Sequence, residues 1–269
     1  MEIVRAIVIG AAGRMGIRLL WAIHETSNIH LAGAVERKDH PSLGRDAGVV
    51  AGMEEWGVPL VGDLRDTISS GDVIIDFTNA ESALKNLQVA AKNGKCAVIG
   101  STGFSADQME EVKILTRRVA CVLSPNMSVG VNVMYKVVAD LAKLLGDDFD
   151  VEVIEAHHRM KKDAPSGTAM KIGQVLAQAL NRNFDQVGTF ARKGIIGERK
   201  RTEIGMQTIR AGDIVGEHTV IFGGTGERLE VIHRAHSRDN FARGAIRAVG
   251  WVVKQKPGLY DMQDVLGLK

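Results

Sequence analysis

Apolar positions along the chain follow two rhythms. In the first half, short apolar runs recur: Ile7-Val8-Ile9, Leu31-Ala32-Gly33-Ala34-Val35, the centre of Gly71 to Thr78, Cys96-Ala97-Val98-Ile99-Gly100 and Val119 to Leu123. Segments with helical spacing, such as Ala80 to Asn93, lie between them. Runs this short, bounded by glycine or polar turn residues, predict buried strands, and their alternation with helices predicts an α/β architecture with a doubly wound parallel sheet. After residue 127 the rhythm changes. Val129 to Leu145 reads as a long apolar helix, Val151-Glu152-Val153-Ile154 alternates like a strand, and Thr168 to Leu180 is again helical. Thr208 to Ala211, His218 to Phe222 and Glu227 to Arg234 then read as strands, so a second, α+β domain with a mostly antiparallel sheet is expected. Phe241 to Lys254 is amphipathic and is assigned back to the first domain. The expected division is residues 1–127 completed by 240–269, and residues 128–239, with a hinge near Met127 and Asp239.

The first strand runs into Gly10-Ala11-Ala12-Gly13-Arg14-Met15-Gly16, a glycine turn that opens a helix. Gly10 permits the turn, Gly13 lets backbone approach a pyrophosphate, and Gly16 allows the helix to pack closely on the sheet. Ala12 stands where the commonest dinucleotide fingerprint has its second glycine, which weakens the match. Position strengthens it: the next apolar run ends in Glu36-Arg37-Lys38, about 20 residues on, where an acid can hold the ribose hydroxyls of a dinucleotide. Glu36 favours NADH and Arg37 favours NADPH, so the sequence leaves both open. Arg14 is placed either over the phosphates or over the helix start. In open α/β sheets ligands sit beyond the carboxyl ends of the strands. Phe77, Gly100, Ser101, Thr102, Ser124, Pro125, Asn126 and Met127 are therefore expected on the nicotinamide side.

The densest chemistry lies in Glu155-Ala156-His157-His158-Arg159-Met160-Lys161-Lys162-Asp163-Ala164-Pro165-Ser166-Gly167-Thr168-Ala169. Two imidazoles and two ammonium groups precede a helix start, which suits holding and protonating a small dianion. Pro165 stops a helix on its N-terminal side and Ser166 can cap the one that follows. The N–H groups of Gly167 and Thr168 then sit at the positive end of a helix dipole, where a carboxylate binds. His157, His158 and Lys161 are expected on a loop between strand and helix. A lone histidine or lysine there would read as a solvated loop, but three such groups beside an anion-ready helix end favour a site.

The pattern Glu152-x-x-Glu155-x-His157-x-x-x-Lys161-x-Asp163-x-Pro165-Ser166-Gly167-Thr168-Ala169 resembles the signature of the 4-hydroxy-tetrahydrodipicolinate reductase (dihydrodipicolinate reductase) family. The likeness extends from the opening glycine turn through Arg210-Ala211-Gly212-Asp213-Ile214-Val215-Gly216-Glu217-His218 to the return at Phe241 to Gly250. It implies a Rossmann-type cofactor domain, a second substrate-binding and oligomerisation domain, and NADH or NADPH as hydride source. The implied reaction is reduction of 4-hydroxy-tetrahydrodipicolinate, after loss of water, to tetrahydrodipicolinate in the diaminopimelate and lysine pathway. His157 and Lys161 become the catalytic candidates, and His158, Gly167 and Thr168 the carboxylate ligands. Gly10 to Met15, Glu36, Arg37 and the strand ends above become the cofactor contacts. An imidazole with a reference pKa near 6.5 suits proton donation at neutral pH, and Lys161 suits anchoring a carboxylate, although the two can share the role. Closing the domains would bring the nicotinamide to the histidine segment and expel water. The family's homotetramers, joined through the sheets of the second domains, are expected here too.

Composition narrows the alternatives. A chain of 269 residues with 45% apolar content can bury two modest cores, and 30 glycines against 5 prolines fit many tight turns. A net charge of +2 calls for neither nucleic acid nor an anionic membrane as partner. Cys96 and Cys121 form no framework and read as thiols of a reducing compartment. With no apolar run of membrane-spanning length and no leader pattern, a cytoplasmic protein is expected. Residues 190–206, with Arg192, Lys193, Arg199, Lys200 and Arg201, read as a mobile solvated loop. His24, His30, His40, His218, His233 and His236 are scattered without ligand spacing, so no metal is expected. Three competing readings are an oxidoreductase acting on another small acid, a non-catalytic NAD(H) sensor, and a metal-dependent hydrolase using His157 and His158.

Overall fold

The computed structural model describes residues 3–269, which divide into two compact units: residues up to Val129 with Arg238–Lys269, and Gly130–Ser237. In chain order the first unit begins with β1 (Val4–Ile9), α1 (Arg14–His24), β2 (Ile29–Val35), α2 (Ala47–Val50) and β3 (Leu60–Val61). It continues with β4 (Val73–Asp76), α3 (Ala80–Lys92), β5 (Cys96–Ile99), α4 (Ala106–Leu115) and β6 (Ala120–Leu123). The second unit holds α5 (Val129–Leu145), β7 (Asp150–His157), α6 (Gly167–Ala179), α7 (Phe184–Val187), β8 (Gly188–Thr189), β9 (Ile204–Arg210), β10 (Gly216–Gly223) and β11 (Arg228–Ala235). The chain then returns to the first unit with α8 (Asp239–Val252), β12 (Gly258–Tyr260) and α9 (Met262–Leu266).

Seven strands of the first unit form a parallel sheet in the order β12-β6-β5-β4-β1-β2-β3. Its strands are apolar without alternation because both faces are covered. Along β1, Ala6 and Val8 enter a core shared with Leu19 and Leu20 of α1 and Val249 of α8, while Ile7 and Ile9 enter a second core with Leu87 of α3 and Val112 of α4. Strand order reverses between β1 and β4, so the carboxyl ends of these strands flank a crevice of the kind where dinucleotides bind. Helix α8 lies against backbone: a Cβ added to Gly244 would fall 1.8 Å from the Met127 carbonyl oxygen.

The second unit holds five strands in the order β11-β10-β7-β9-β8. This sheet is evenly mixed, which corrects the expectation of a mostly antiparallel one. β10 runs antiparallel to β11 and β7, whereas β7 and β8 run parallel to β9. The physical reason is the connection: β7 reaches β9 through α6 and α7, and a long helical crossover returns the chain in the same direction. β9 also starts four residues before the expected strand, because Ile204, Gly205 and Met206 are buried and pair with Val151 to Val153. One face of the sheet packs Val151, Val153, Ile204, Met206, Val220 and Phe222 against Met134 and Val138 of α5 and Ile172 and Leu176 of α6. On the opposite face, Ile209 and Ile232 are 46% and 44% exposed.

Residues 190–203 are a largely exposed segment, but two arginines tie it down instead of lying in solvent. The Arg192 guanidinium donates to both oxygens of Glu152 and to Glu203, and Arg199 donates to Glu152, Asp150 and the carbonyls of Val151 and Glu203. Between the two ties, Ile195 and Ile196 are exposed. Arg192 and Arg199 are half-buried and fasten the segment to β7, while Lys193, Lys200 and Arg201 are exposed as the sequence suggests.

Candidate active site

At the end of β1 the turn has the geometry its glycines permit. Gly10 adopts a φ of 69°, open to glycine without strain, and a Cβ on Gly16 would fall 2.1 Å from the Gly10 carbonyl oxygen, so α1 can start only over a bare Cα. Gly13 is the N-cap of α1 and offers no side-chain acceptor, which leaves the first-turn amides of Arg14 and Met15 at the positive end of the helix. Ala11 is buried, Ala12 and Met15 pack against the α1 and α8 core, and the Arg14 side chain is exposed. The Ala12 methyl is therefore accommodated on the core side of the turn. Glu36 reaches back from the end of β2, accepting from the Ala12 amide at 3.1 Å and from the Arg37 amide at 3.0 Å. Arg37 pairs with Asp39 at 3.3 Å, both strongly exposed, a contact too weak to hold it from a phosphate. A glycine turn, bare helix amides and an acid at the next strand end fit a dinucleotide.

The ends of β4 and β5 are tied together by Asp76, which the sequence pattern alone does not single out. Asp76 is fully buried and accepts from the Thr78 amide and hydroxyl at 2.9 and 2.6 Å and from Asn86 at 2.7 Å, with the Ser101 hydroxyl at 3.5 Å. Its signal was an acid closing an otherwise apolar strand. The Phe77 ring lies over Gly100, where a Cβ would come within 2.2 Å of it. The Ser124 amide donates to the Ile99 carbonyl and its hydroxyl to that of Asn126. Phe77, Gly100, Ser101 and Ser124 are thus assembled at adjacent strand ends, with Thr102 and Pro125 exposed beside them. Met127 differs: its side chain is 1% exposed in the core, leaving only backbone to offer a ligand.

In the second unit, His157 is not on a loop as expected but is the last residue of β7, paired in register with Arg210. The Ala211 amide donates to the His157 carbonyl, which extends the pairing past the point where the apolar alternation ends. Strand geometry therefore aims His157 to the same side as Glu155, two residues earlier. Glu155 is 1% exposed and central. It accepts from His157 Nδ1 at 2.6 Å, from Arg210 with both terminal nitrogens at 2.8 Å, and from the Ser166 amide at 2.9 Å. Burial opposes its ionisation, yet Arg210, His157 and Ser166 together hold its carboxyl down to about 2. For His157, burial outweighs the attraction of Glu155 and pushes the imidazole pKa below its usual value, with Lys161 and Arg210 adding to the fall.

Ser166 caps α6, its hydroxyl accepting from the Ala169 amide at 3.1 Å, and the same oxygen lies 3.1 Å from His218 Nε2. His218, read as scattered, is brought opposite Glu155 by the β10–β7 register, and its ring stands edge-on to His157 at 5.3 Å. Burial drives its pKa down to about 3, so it is neutral. Gly167 opens α6 with nothing within 4 Å of a Cβ added there, and Thr168 hydrogen-bonds the buried Tyr135 hydroxyl. His158 is half-buried with Nδ1 unpartnered, and Lys161 is held by both oxygens of Asp163 at 2.9 and 2.8 Å. His157, Ser166 and, through it, the helix start at Gly167 are thus tied to one carboxylate, with Lys161 on the intervening segment. Glu155, Arg210 and His218 could have been found from their spacing only by knowing the strand register.

Family models described as dihydrodipicolinate reductase N-terminus and C-terminus match residues 4–127 and 130–266. The chain belongs to the dihydrodipicolinate reductase family. Among its relatives, the 4-hydroxy-tetrahydrodipicolinate reductase of Syntrophus aciditrophicus (strain SB) is 58% identical over 265 residues, covering 98% of this chain and 99% of its own. That of Geotalea uraniireducens (strain Rf4) is 58% identical over 266 residues, covering 99% and 100%. A solved dipicolinate-bound dihydrodipicolinate reductase from Paenisporosarcina sp. TG-14 superposes with a TM-score of 0.77 at 25% identity, covering 98% of this chain and 99% of its own.

Proposed function

We propose that this chain reduces 4-hydroxy-tetrahydrodipicolinate, with loss of water, to tetrahydrodipicolinate, using NADH or NADPH, in the route to diaminopimelate and lysine. The observation that carries the reading is that one buried carboxylate, Glu155, ties an imidazole and the amide of a helix cap together. In the first unit, Gly10, Ala11, Ala12, Gly13, Arg14 and Met15 hold the pyrophosphate, Glu36 and Arg37 the adenosine ribose or its phosphate. Phe77, Gly100, Ser101, Thr102, Ser124, Pro125, Asn126 and Met127 line the nicotinamide side. Bound there, the reduced nicotinamide supplies hydride.

In the second unit, His158 and the first turn of α6 at Gly167 and Thr168 bind substrate carboxylate, where the helix dipole favours negative charge. Lys161 anchors a carboxylate and draws electron density from the ring; a substrate carboxylate takes over the place that Asp163 fills. His157 gives a proton to the ring carbon left electron-rich by reduction, and Lys161 can share that role. The exposed isoleucines on the open sheet face support a homotetramer built through this face. The family's reaction and the two free cysteines support a cytoplasmic site.

Anaerobic single-turnover oxidation of NADH and of NADPH with enzymatically generated substrate tests reaction and cofactor together. Consumption with neither would end the reading. Replacing His157 or Lys161 with Ala is expected to lower kcat by about 10², with nicotinamide affinity unchanged. Near-normal turnover in both variants would remove these residues from the chemistry.

A further inference from the structure

Glu155 carries more partners than a charge pair needs. Its Oε2 accepts from His157 and Arg210, and its Oε1 from Ser166, Arg210 and, at 3.3 Å, the Thr208 hydroxyl. An ionised carboxylate only accepts, so the hydrogen on the 2.6 Å contact belongs to His157 Nδ1. The neutral ring is then the Nδ1–H tautomer, with Nε2 as its one basic nitrogen. Nε2 lies beside Gly216, where a Cβ would approach to 3.1 Å; the glycine keeps that edge of the ring clear.

The charged and titratable groups around the ring come from four places: Glu155 on β7, Arg210 on β9, His218 on β10, and Lys161 with its partner Asp163 on the segment before α6. His233 faces His218 from β11. Lys161 and Arg210 disfavour a second proton on His157, and buried His218 is neutral. Of the groups in direct contact with the ring, Glu155 alone favours the imidazolium.

We propose that Glu155 is a positioning residue that fixes His157 with Nε2 as the proton-donating atom and, through the Ser166 amide, sets the carboxylate-binding start of α6 relative to that atom. The inference rests on His157 being the proton donor. It adds which nitrogen acts, what selects it, and why donor and carboxylate site move together. Arg210 keeps Glu155 ionised, so the carboxylate supports the imidazolium without itself taking the proton.

The test is the pH profile of kcat for the full chain and for Glu155→Gln and Glu155→Asp. Turnover that needs imidazolium falls as pH rises through the His157 pKa. Removing the charge in Glu155→Gln is expected to move that fall about one pH unit toward acid, costing about tenfold in kcat at neutral pH with nicotinamide affinity unchanged. Glu155→Asp, which keeps the charge on a shorter arm, should hold its midpoint near that of the unaltered chain even if kcat drops. Equal midpoints for Gln and the unaltered chain, or equal displacement by Gln and Asp, would reduce Glu155 to a structural role. NMR of isotope-labelled histidines in the unaltered chain reads the tautomer directly and needs no folded variant. Expected is Nδ1–H on the resonance lost in His157→Ala; Nε2–H would overturn the proposal. Full turnover in His157→Ala would instead sink the donor assignment, with the tautomer still read independently.

Discussion

Gly100 shows how one missing methyl shapes the strand ends of the first unit. The Phe77 ring occupies the space a Cβ would need, at 2.2 Å, so Gly100→Ala must push the ring or part the strand ends. The expected cost is about 1–3 kcal/mol of stability together with weaker NADH binding, measured by thermal melting and by titration of nicotinamide fluorescence. A melt and an affinity both unchanged would show that Phe77 moves freely. Two groups in the second unit set its acid limit. Glu155 is depressed from its ordinary 4.5 to about 2, so the stability it contributes is complete above 4.5 and is lost as pH falls toward 2. His218 is depressed from 6.5 to about 3, so the unfolded chain binds a proton that the folded chain refuses, and stability declines from pH 6.5 downward. Tm measured from pH 7 to 4 should therefore fall, and His218→Gln should flatten the slope. A slope that persists in the variant would place its cause elsewhere. The sequence displayed His157, Lys161 and the capping serine because they lie in one short segment. Glu155 stands in that segment too, but Arg210, which holds it, and His218, which holds Ser166, lie 55 and 52 residues from their partners, and only strand register joins them.

Among the elements, α6 is the one whose start matters most. Ser166 caps it and also ties it to His218 and Glu155, so Ser166→Ala removes a cap worth about 1 kcal/mol and loosens the first turn proposed to bind carboxylate. A lower Tm is expected, with KM for the dicarboxylate rising more than kcat falls, and steady-state kinetics would separate the two. The segment before β9 offers a second test. Gly205 is obliged to be bare because a Cβ there would fall 1.8 Å from the Glu152 carboxylate, which Arg192 and Arg199 clasp. Glu152→Ala leaves both guanidinium groups without that acceptor, and limited proteolysis at Lys193 or Arg201 should accelerate. Helical periodicity made α5 readable over Val129–Leu145, since seventeen residues sample the apolar stripe many times. Strand direction in the second sheet was not readable, because apolar alternation is the same for parallel and antiparallel neighbours. The pairing of the arginines at 192 and 199 is hidden in the sequence for a related reason: charge looks solvated until its partner is placed.

On the scale of the whole molecule, three apolar cores serve two units, two of them on either side of the parallel sheet and one beneath the mixed sheet. The first architecture was legible because buried parallel strands are continuous in apolar character, and the helix returning at Asp239 shares the α1 core. The second sheet leaves Ile209 and Ile232 on a face without a covering helix core, and a tetramer assembled there would hide them. Changing both to Lys is expected to lower the mass in light scattering while each subunit keeps its melting cooperativity. A mass unchanged by the double substitution would move the interface to another surface.

The chain order of the first unit carries a consequence for synthesis. Its core helix α8 and edge strand β12 are made only after all five strands of the second sheet. A growing polypeptide can thus complete the later-encoded unit while the glycine-turn sheet still has an unpaired flank at β6 and a bare apolar side. During that interval the nascent sheet is at its most prone to aggregate, and its crevice between β1 and β4 reaches its final form only once α8 and β12 have been added.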